Sequence, residues 1–98
     1  MKILTQKEFN QVNFTIGTTI RQKRKEAGLR QFDLAEYLGL SRAAIVNIER
    51  GRQSCNIEYL YKIADKLDIS VHDLIPVNCK PKLKIVKIKS IDDSYKFQ

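Results

Sequence analysis

The sequence predicts an all-α protein: a five-helix domain with an N-terminal helical extension and a short C-terminal β-strand or basic tail. Three features support this prediction. Apolar residues recur at helical spacing, polar capping residues precede the apolar stretches, and glycines follow several of them. A chain of 98 residues has room for one domain. We therefore divide it into a helical extension over 1–14, a helical domain over 15–76 and a basic tail over 77–98.

Charge and composition narrow the classes of function. Lysine and arginine outnumber aspartate and glutamate by 18 to 11, a net charge of +7 that favours nucleic acid or an anionic membrane surface as partner. No apolar run is long enough to cross a membrane and no secretory signal is visible, so we expect a cytoplasmic protein. Cys55, Cys79 and His72 are too few for a zinc site. We expect reduced thiols, no metal and no cofactor.

One apolar stripe predicts the extension and the first helix of the domain. Thr5 and Glu8 have the spacing of a capping box, and the domain's helix 1 runs over 16–27 before Gly28 closes it. We expect the apolar side chains of the extension to pack in the core, with a dimer contact as the alternative. The stripe consists of Phe9, Val12, Ile16 and Ile20.

Two short helices joined by a tight turn follow. Helix 2, over 31–38, has its apolar residues on one face, and Gly39 supplies the left-handed residue that ends it. Ser41 caps helix 3, which runs over 42–51. Two such helices at a steep angle around a glycine-containing turn form a helix-turn-helix. The inward side chains of helix 3 are Ile45 and Ile48.

The same residues carry a resemblance. The spacing Q-x3-A-x3-G-x5-I is followed by a hydrophobe-Glu-x-Gly-basic ending, and the residues are Gln31, Ala35, Gly39, Ile45 and Ile48-Glu49-Arg50-Gly51-Arg52. This frame resembles the lambda-type repressor/Cro family, also called the XRE family, over residues 16–76. The resemblance implies a double-stranded DNA-binding regulator, usually a repressor that acts as a homodimer on a palindromic operator. It also implies a partly buried ion pair between Arg24 and Glu49, and a phosphate contact by Gln31.

Helix 3 holds the predicted base-reading residues, because recognition helices contact bases with their N-terminal residues. Arg42 suits guanine, with a phosphate contact as the alternative, and Asn47 suits adenine or a phosphate. Ala43 and Val46 offer apolar contact to a thymine methyl group. We expect phosphate contacts from Arg30, Gln31, Ser41, Arg50 and Arg52.

Arg30 departs from the family, which usually has serine, threonine or asparagine as the cap of helix 2. We expect the capping hydrogen bond there to be absent or supplied by another group, and the Arg30 side chain to reach a phosphate. Helix 4 over 57–67 is capped by Asn56. Ser70 and Asp73 then form a second capping box that starts a short helix 5.

The tail over 77–98 contains a nearly alternating basic and apolar segment over 82–89, which predicts a strand. It pairs with its copy across a dimer axis, adds to the sheet of a protein partner, or remains a disordered basic arm; we favour the first. Two other functions stay open. One is an antitoxin whose tail binds a toxin, and the other is a restriction–modification controller protein. An enzyme is not expected, because the sequence has no nucleophile–base pair and no phosphate-binding glycine loop.

Overall fold

Four α-helices and one turn of 3-10 helix make up residues 4–75, the part of the chain that the computed structural model describes. The α-helices are α1 (Gln6–Glu26), α2 (Gln31–Leu38), α3 (Arg42–Glu49) and α4 (Ile57–Leu67), and the 3-10 turn is Val71–Asp73. The predicted all-α class is confirmed for this part, in which no strand occurs. The predicted tail, with its strand over 82–89, lies outside the described residues.

The predicted fifth helix is wrong as an α-helix, since the segment forms only the 3-10 turn. Its cap was identified correctly: Ser70 Oγ accepts a hydrogen bond from the His72 backbone N–H at 3.1 Å, and the Asp73 carboxylate accepts from the Ser70 N–H at 3.1 Å. Immediately after the turn, Leu74 enters the core and is only 1% exposed. A capping pattern therefore marks where the turn begins but not how far the helix continues.

The extension and the first helix of the domain form one unbroken helix, α1, of 21 residues. The predicted capping box is present, with Thr5 Oγ1 accepting from the Glu8 N–H at 3.1 Å and the Glu8 carboxylate accepting from the Thr5 N–H at 2.9 Å. However, α1 contributes to the apolar core only from Ile16 onward. The expectation that Phe9 packs in the core is wrong, because its side chain is 47% exposed. Val12 is half-buried but also lies outside the core cluster.

The core takes one fully buried side chain from each helix and one from the end of the 3-10 turn: Ile20, Leu34, Ile45, Ile63 and Leu74. Helix α3 packs against both α1 and α2. Its C-terminal end lies directly on α1 at Gly17, where a Cβ atom would clash with the Ile48 carbonyl oxygen and lie 2.7 Å from that of Glu49. Glycine at this position therefore lets the two backbones meet and fixes the position of α3.

Candidate DNA-binding surface

The outer face of α3 carries the four residues predicted to read bases. Arg42 and Ala43 are exposed, and Val46 and Asn47 are partly exposed. On the opposite face, Ile45 and Ile48 are 1% and 2% exposed. The side chains of Arg42, Ala43, Val46 and Asn47 share one side because residues three to four apart lie on the same face of a helix. The predicted division of α3 into inner and outer residues is confirmed.

Both ends of α3 present groups suited to phosphate oxygens. At the N-terminal end, Ser41 Oγ accepts the Ala44 backbone N–H at 3.0 Å, which leaves the hydroxyl hydrogen as a donor. At the C-terminal end, α3 stops at Glu49, two residues earlier than predicted, and Gly51 adopts a positive φ of 76°. Arg50 and Arg52 are exposed in this turn. Among residues 4–75 neither of them forms an ion pair, and neither does Arg42.

The ion pair implied by the resemblance is present and buried. Arg24 Nε donates to Glu49 Oε2 at 2.7 Å and Nη2 donates to Oε1 at 3.1 Å. Each residue is only 5% exposed. The remaining guanidinium nitrogen, Nη1, donates to the Leu29 carbonyl oxygen at 2.7 Å, a contact that the sequence did not indicate. This single arginine thus ties the end of α1 to the following loop and to the end of α3.

Gln31 connects the buried ion pair to the outer face of α3. Its amide Nε2 donates to Glu49 Oε1 at 3.1 Å, and its Oε1 accepts from Arg42 Nε at 3.3 Å. Because a carboxylate only accepts hydrogen bonds, the amide nitrogen faces Glu49 and the amide oxygen faces Arg42. Arg42 still has the N–H donors that a bidentate guanine contact uses, and Gln31 has one N–H available for a phosphate. Sequence spacing alone did not indicate this bridge.

Arg30 pairs with Asp33, a residue for which the sequence predicted no role. Arg30 Nε and Nη2 donate to the Asp33 carboxylate at 3.0 and 2.8 Å. The same carboxylate accepts the Arg30 backbone N–H at 2.8 Å, so it supplies part of the cap of α2. The guanidinium also lies 5.6 Å from the centre of the Phe32 ring. A carboxylate three residues after the cap is a local capping signal that would have revealed this pair.

The hydrogen bonds between Arg30 and Asp33 shift the pKa values of both side chains. The pKa of Asp33 is lowered to about 2, chiefly because the Arg30 side chain donates to the carboxylate and further because the Arg30 backbone N–H does. The pKa of Arg30 is raised by the same contact. The Arg30 side chain is nevertheless 75% exposed. The pair with Asp33 is therefore held in solvent, where such ion pairs contribute little to stability.

Other kinds of site are not supported by the described residues. No group of three or more histidine, cysteine, aspartate or glutamate side chains suited to a metal ion occurs between residues 4 and 75. Burial raises the pKa of the Cys55 thiol to about 11, so the reactive thiolate is scarce at neutral pH. Cys79 lies outside the described residues. Within the same range, none of the helices has the length and apolar character that crossing a membrane requires.

Comparisons with known proteins agree with this geometry. The Helix-turn-helix family profile matches residues 20–74. The transcriptional regulator SinR of Bacillus subtilis (strain 168) is 41% identical over 61 residues, which cover 61% of this chain and 55% of SinR. The chain thus matches little more than half the length of that relative.

Two solved structures extend the likeness to the fold. The crystal structure of SinR, the master regulator for biofilm formation, in complex with DNA has a TM-score of 0.56 and 42% identity, covering 60% of this chain and 95% of that one. The restriction–modification controller protein C.AhdI of Aeromonas hydrophila has a TM-score of 0.60 and 32% identity, covering 63% of this chain and 94% of that one.

The proteins of this family are DNA-binding transcription regulators and not enzymes. The match over residues 20–74 covers more than half of the chain and includes Arg24, Gln31 and all of α3. The chain therefore belongs to the lambda-type repressor/Cro (XRE) family of helix-turn-helix regulators.

Proposed function

We propose that the protein is a transcriptional repressor that binds a near-palindromic operator in double-stranded DNA as a homodimer, in the cytoplasm. One α3 from each subunit enters the major groove, and the two-fold axis places the second α3 one helical turn away, about 34 Å along the DNA. Repression follows when the bound dimer covers a promoter. The observation that carries this proposal is the outer face of α3, whose side chains are exposed or partly exposed while Ile45 and Ile48 on the opposite face are buried.

The base-reading roles belong to the N-terminal part of that face. Arg42 donates two hydrogen bonds to O6 and N7 of a guanine, and Asn47 pairs with an adenine or reaches a phosphate. Ala43 and Val46 pack against thymine methyl groups. Gln31 supports the first of these contacts, since its amide oxygen already holds Arg42 Nε at 3.3 Å.

Phosphate contacts surround the reading face. They fix the position of α3 in the groove and supply most of the salt-dependent affinity. Gln31 and Ser41 contribute neutral donors, and the exposed arginines contribute charge. Arg30 joins them by exchanging the Asp33 carboxylate for a phosphate oxygen. The charged members of the set are Arg30, Arg50 and Arg52.

The dimer contact belongs to the segment over 82–89 in this proposal, because its alternation suits a strand that pairs with its own copy. Addition of the same segment to a protein partner, such as a toxin, is the alternative. A chain that ends at Pro76 tests whether the dimer contact lies in this segment. We expect it to be monomeric in analytical ultracentrifugation, and a full-strength dimer would reject the assignment.

A restriction–modification controller is the second candidate function. It is favoured by the match to C.AhdI, which extends over 94% of that chain. Controller and repressor share the same DNA surface and differ in the genes that they regulate. The genomic position of the selected operator separates them: an operator beside restriction–modification genes supports the controller, and an operator beside other genes supports the first proposal.

Selection of bound sites from random duplex DNA tests the proposed function most broadly. We expect an enriched near-palindrome whose half-sites are centred about 10 base pairs apart. The affinity should fall steeply with salt, because each subunit neutralises several phosphates. Selection of an asymmetric site would contradict the homodimer, and the absence of any enriched sequence would contradict base reading by α3.

A further inference from the structure

The N-terminal half of α1 precedes the residues matched by the family profile, yet it contacts the turn that follows α3. Asn13 Nδ2 donates to Ser54 Oγ at 3.2 Å, a bond between residues 41 positions apart. A Cβ atom on Gly51 would lie 2.6 Å from Cα of Phe14 and 2.9 Å from its backbone nitrogen. The α1 backbone thus lies against the turn at one point, and an α1 side chain holds it at another.

Arg52 lies between these two contacts in the chain. On the α3 side, the turn is closed by the bond from the Arg52 N–H to the Asn47 carbonyl oxygen at 2.9 Å and by that from the Gly51 N–H to the Ile48 carbonyl oxygen at 3.1 Å. Residues 52–55 lie outside any helix, and the helical hydrogen bonds of α4 begin at the Asn56 carbonyl oxygen, which accepts the Leu60 N–H at 3.0 Å. Beyond Ser54, Cys55 packs against the core and the Asn56 side chain caps α4 by accepting the Tyr59 N–H at 2.9 Å. The Asn13–Ser54 bond is therefore the side-chain anchor that lies between Arg52 and these fixed residues.

We propose that Asn13 is a positioning residue for DNA binding, which holds the turn over 50–54 so that Arg52 meets a phosphate. This inference rests on the proposed function. A turn that is already fixed in the free protein loses less conformational freedom on binding, and that difference appears as affinity. Asn13 need not touch DNA for this effect. Removal of the Asn13 side chain should weaken the phosphate contact of Arg52 and leave the base preference unchanged.

Asn13→Ala, Ser54→Ala and the double variant test the proposal on the full chain, with the selected operator and its base-pair variants as probes. We expect each single change to weaken binding about threefold per subunit, because the freed turn must then be ordered when DNA binds. The double variant should bind no more weakly than either single variant, because both remove the same bond. The loss should be equal for all base-pair variants, and the slope of affinity against salt should become shallower.

Asn10→Ala is the matched control, since Asn10 is an exposed asparagine one turn earlier whose side chain bonds to Gln6 within α1. It should bind DNA as the unchanged protein does. The proposal is overturned if Asn13→Ala and Asn10→Ala have the same affinity and salt slope, or if the losses from Asn13→Ala and Ser54→Ala simply add. The proposal is also overturned if Asn13→Ala lowers the melting temperature but keeps full DNA affinity at temperatures well below that melting point.

A stability comparison checks the contact independently of DNA. Gly51, Gly28 and Gly39 all have positive φ, between 71° and 76°, but only Gly51 has another group near its would-be Cβ atom. Gly51→Ala should therefore lower the melting temperature more than Gly28→Ala or Gly39→Ala, which carry only the backbone strain. Equal losses at the three positions would contradict the packing of α1 on the turn.

The DNA measurements also separate this inference from the proposed function. If the unchanged protein selects no sequence from random DNA, the proposed function fails and the role of Asn13 fails with it. If the unchanged protein selects an operator and Asn13→Ala binds it equally well, only the role of Asn13 fails.

Discussion

Two arginine–carboxylate pairs in this molecule have nearly the same geometry and very different surroundings. Arg24 and Glu49 are joined by two hydrogen bonds of 2.7 and 3.1 Å, and Arg30 and Asp33 by two of 3.0 and 2.8 Å. The side chains of the first pair are 7% and 2% exposed, and those of the second are 75% and 28% exposed. The distances alone would not distinguish them.

Burial decides what each pair does. The charges of Arg24 and Glu49 have lost their water, so each depends on the other and on the Leu29 and Gln31 groups that complete the network. The Arg24–Glu49 pair therefore fixes the end of α3 against the end of α1. The guanidinium of Arg30 is in solvent, where the attraction to Asp33 is weak and easily replaced. This difference in exposure is why we propose a phosphate contact for Arg30 and none for Arg24.

Glu49→Ala should have the largest effect. It leaves the buried Arg24 charge without a partner, which we expect to destabilise the domain by about 3–5 kcal/mol. Urea denaturation measures the loss. Asp33→Ala removes the carboxylate of the exposed pair and is the matched control, with a much smaller expected loss. Similar losses from the two changes would mean that burial does not separate the pairs.

Gln31→Ala should affect DNA binding more than folding. The change removes the bridge from Glu49 to Arg42 but leaves the Arg24–Glu49 bonds in place. We expect a moderate loss of affinity together with weaker preference at the base pair that we propose Arg42 to contact. Titration of the selected operator and its single base-pair variants measures both. A normal preference at every position would show that Arg42 does not need the bridge.

Asp33→Asn should produce a small, pH-dependent difference in stability. The folded-state pKa of Asp33 is about 2, below its ordinary 3.8. A lowered pKa favours folding while the carboxylate is ionised, so the stabilisation is complete above about pH 4 and is lost as the pH falls towards 2. The melting temperatures of the two proteins should differ at about pH 6 and converge near pH 2. A constant difference across this range would contradict the assignment.

Arg30→Ser should have the smallest effect on stability. A serine hydroxyl at this position can accept the Asp33 N–H and complete the capping box, which offsets the loss of the exposed ion pair. We expect a slightly higher melting temperature, weaker DNA binding and a salt slope that is shallower by about one per subunit. An unchanged affinity would show that Arg30 remains with Asp33 when DNA is bound.

The sequence was informative where the governing interactions are local. The caps formed by Thr5, Ser41, Asn56 and Ser70 were all predicted and are all present, because each needs only residues within about one turn. The Arg30–Asp33 pair is just as local and was overlooked. Apolar periodicity was less reliable for Phe9, since it identifies the apolar side of a helix but not whether another element covers that side.

Long-range geometry was predicted only where the family resemblance supplied it. The pairing of Arg24 with Glu49 joins residues 25 positions apart and came from the resemblance. The bridge from Gln31 to Glu49 spans 18 positions, and the contact of Asn13 with Ser54 spans 41. Neither follows from spacing in the chain, because each depends on how α1, α2 and α3 pack together.

The most direct test of base reading by α3 compares Arg42→Ala with Arg52→Ala on the selected operator and on each of its single base-pair variants. We expect Arg42→Ala to cost about 1–3 kcal/mol on the preferred operator and to abolish discrimination at one base pair in each half-site. Arg52→Ala should weaken binding to all variants equally. If Arg42→Ala also weakened binding to every variant by the same factor, Arg42 would be a phosphate contact and the central claim would be wrong.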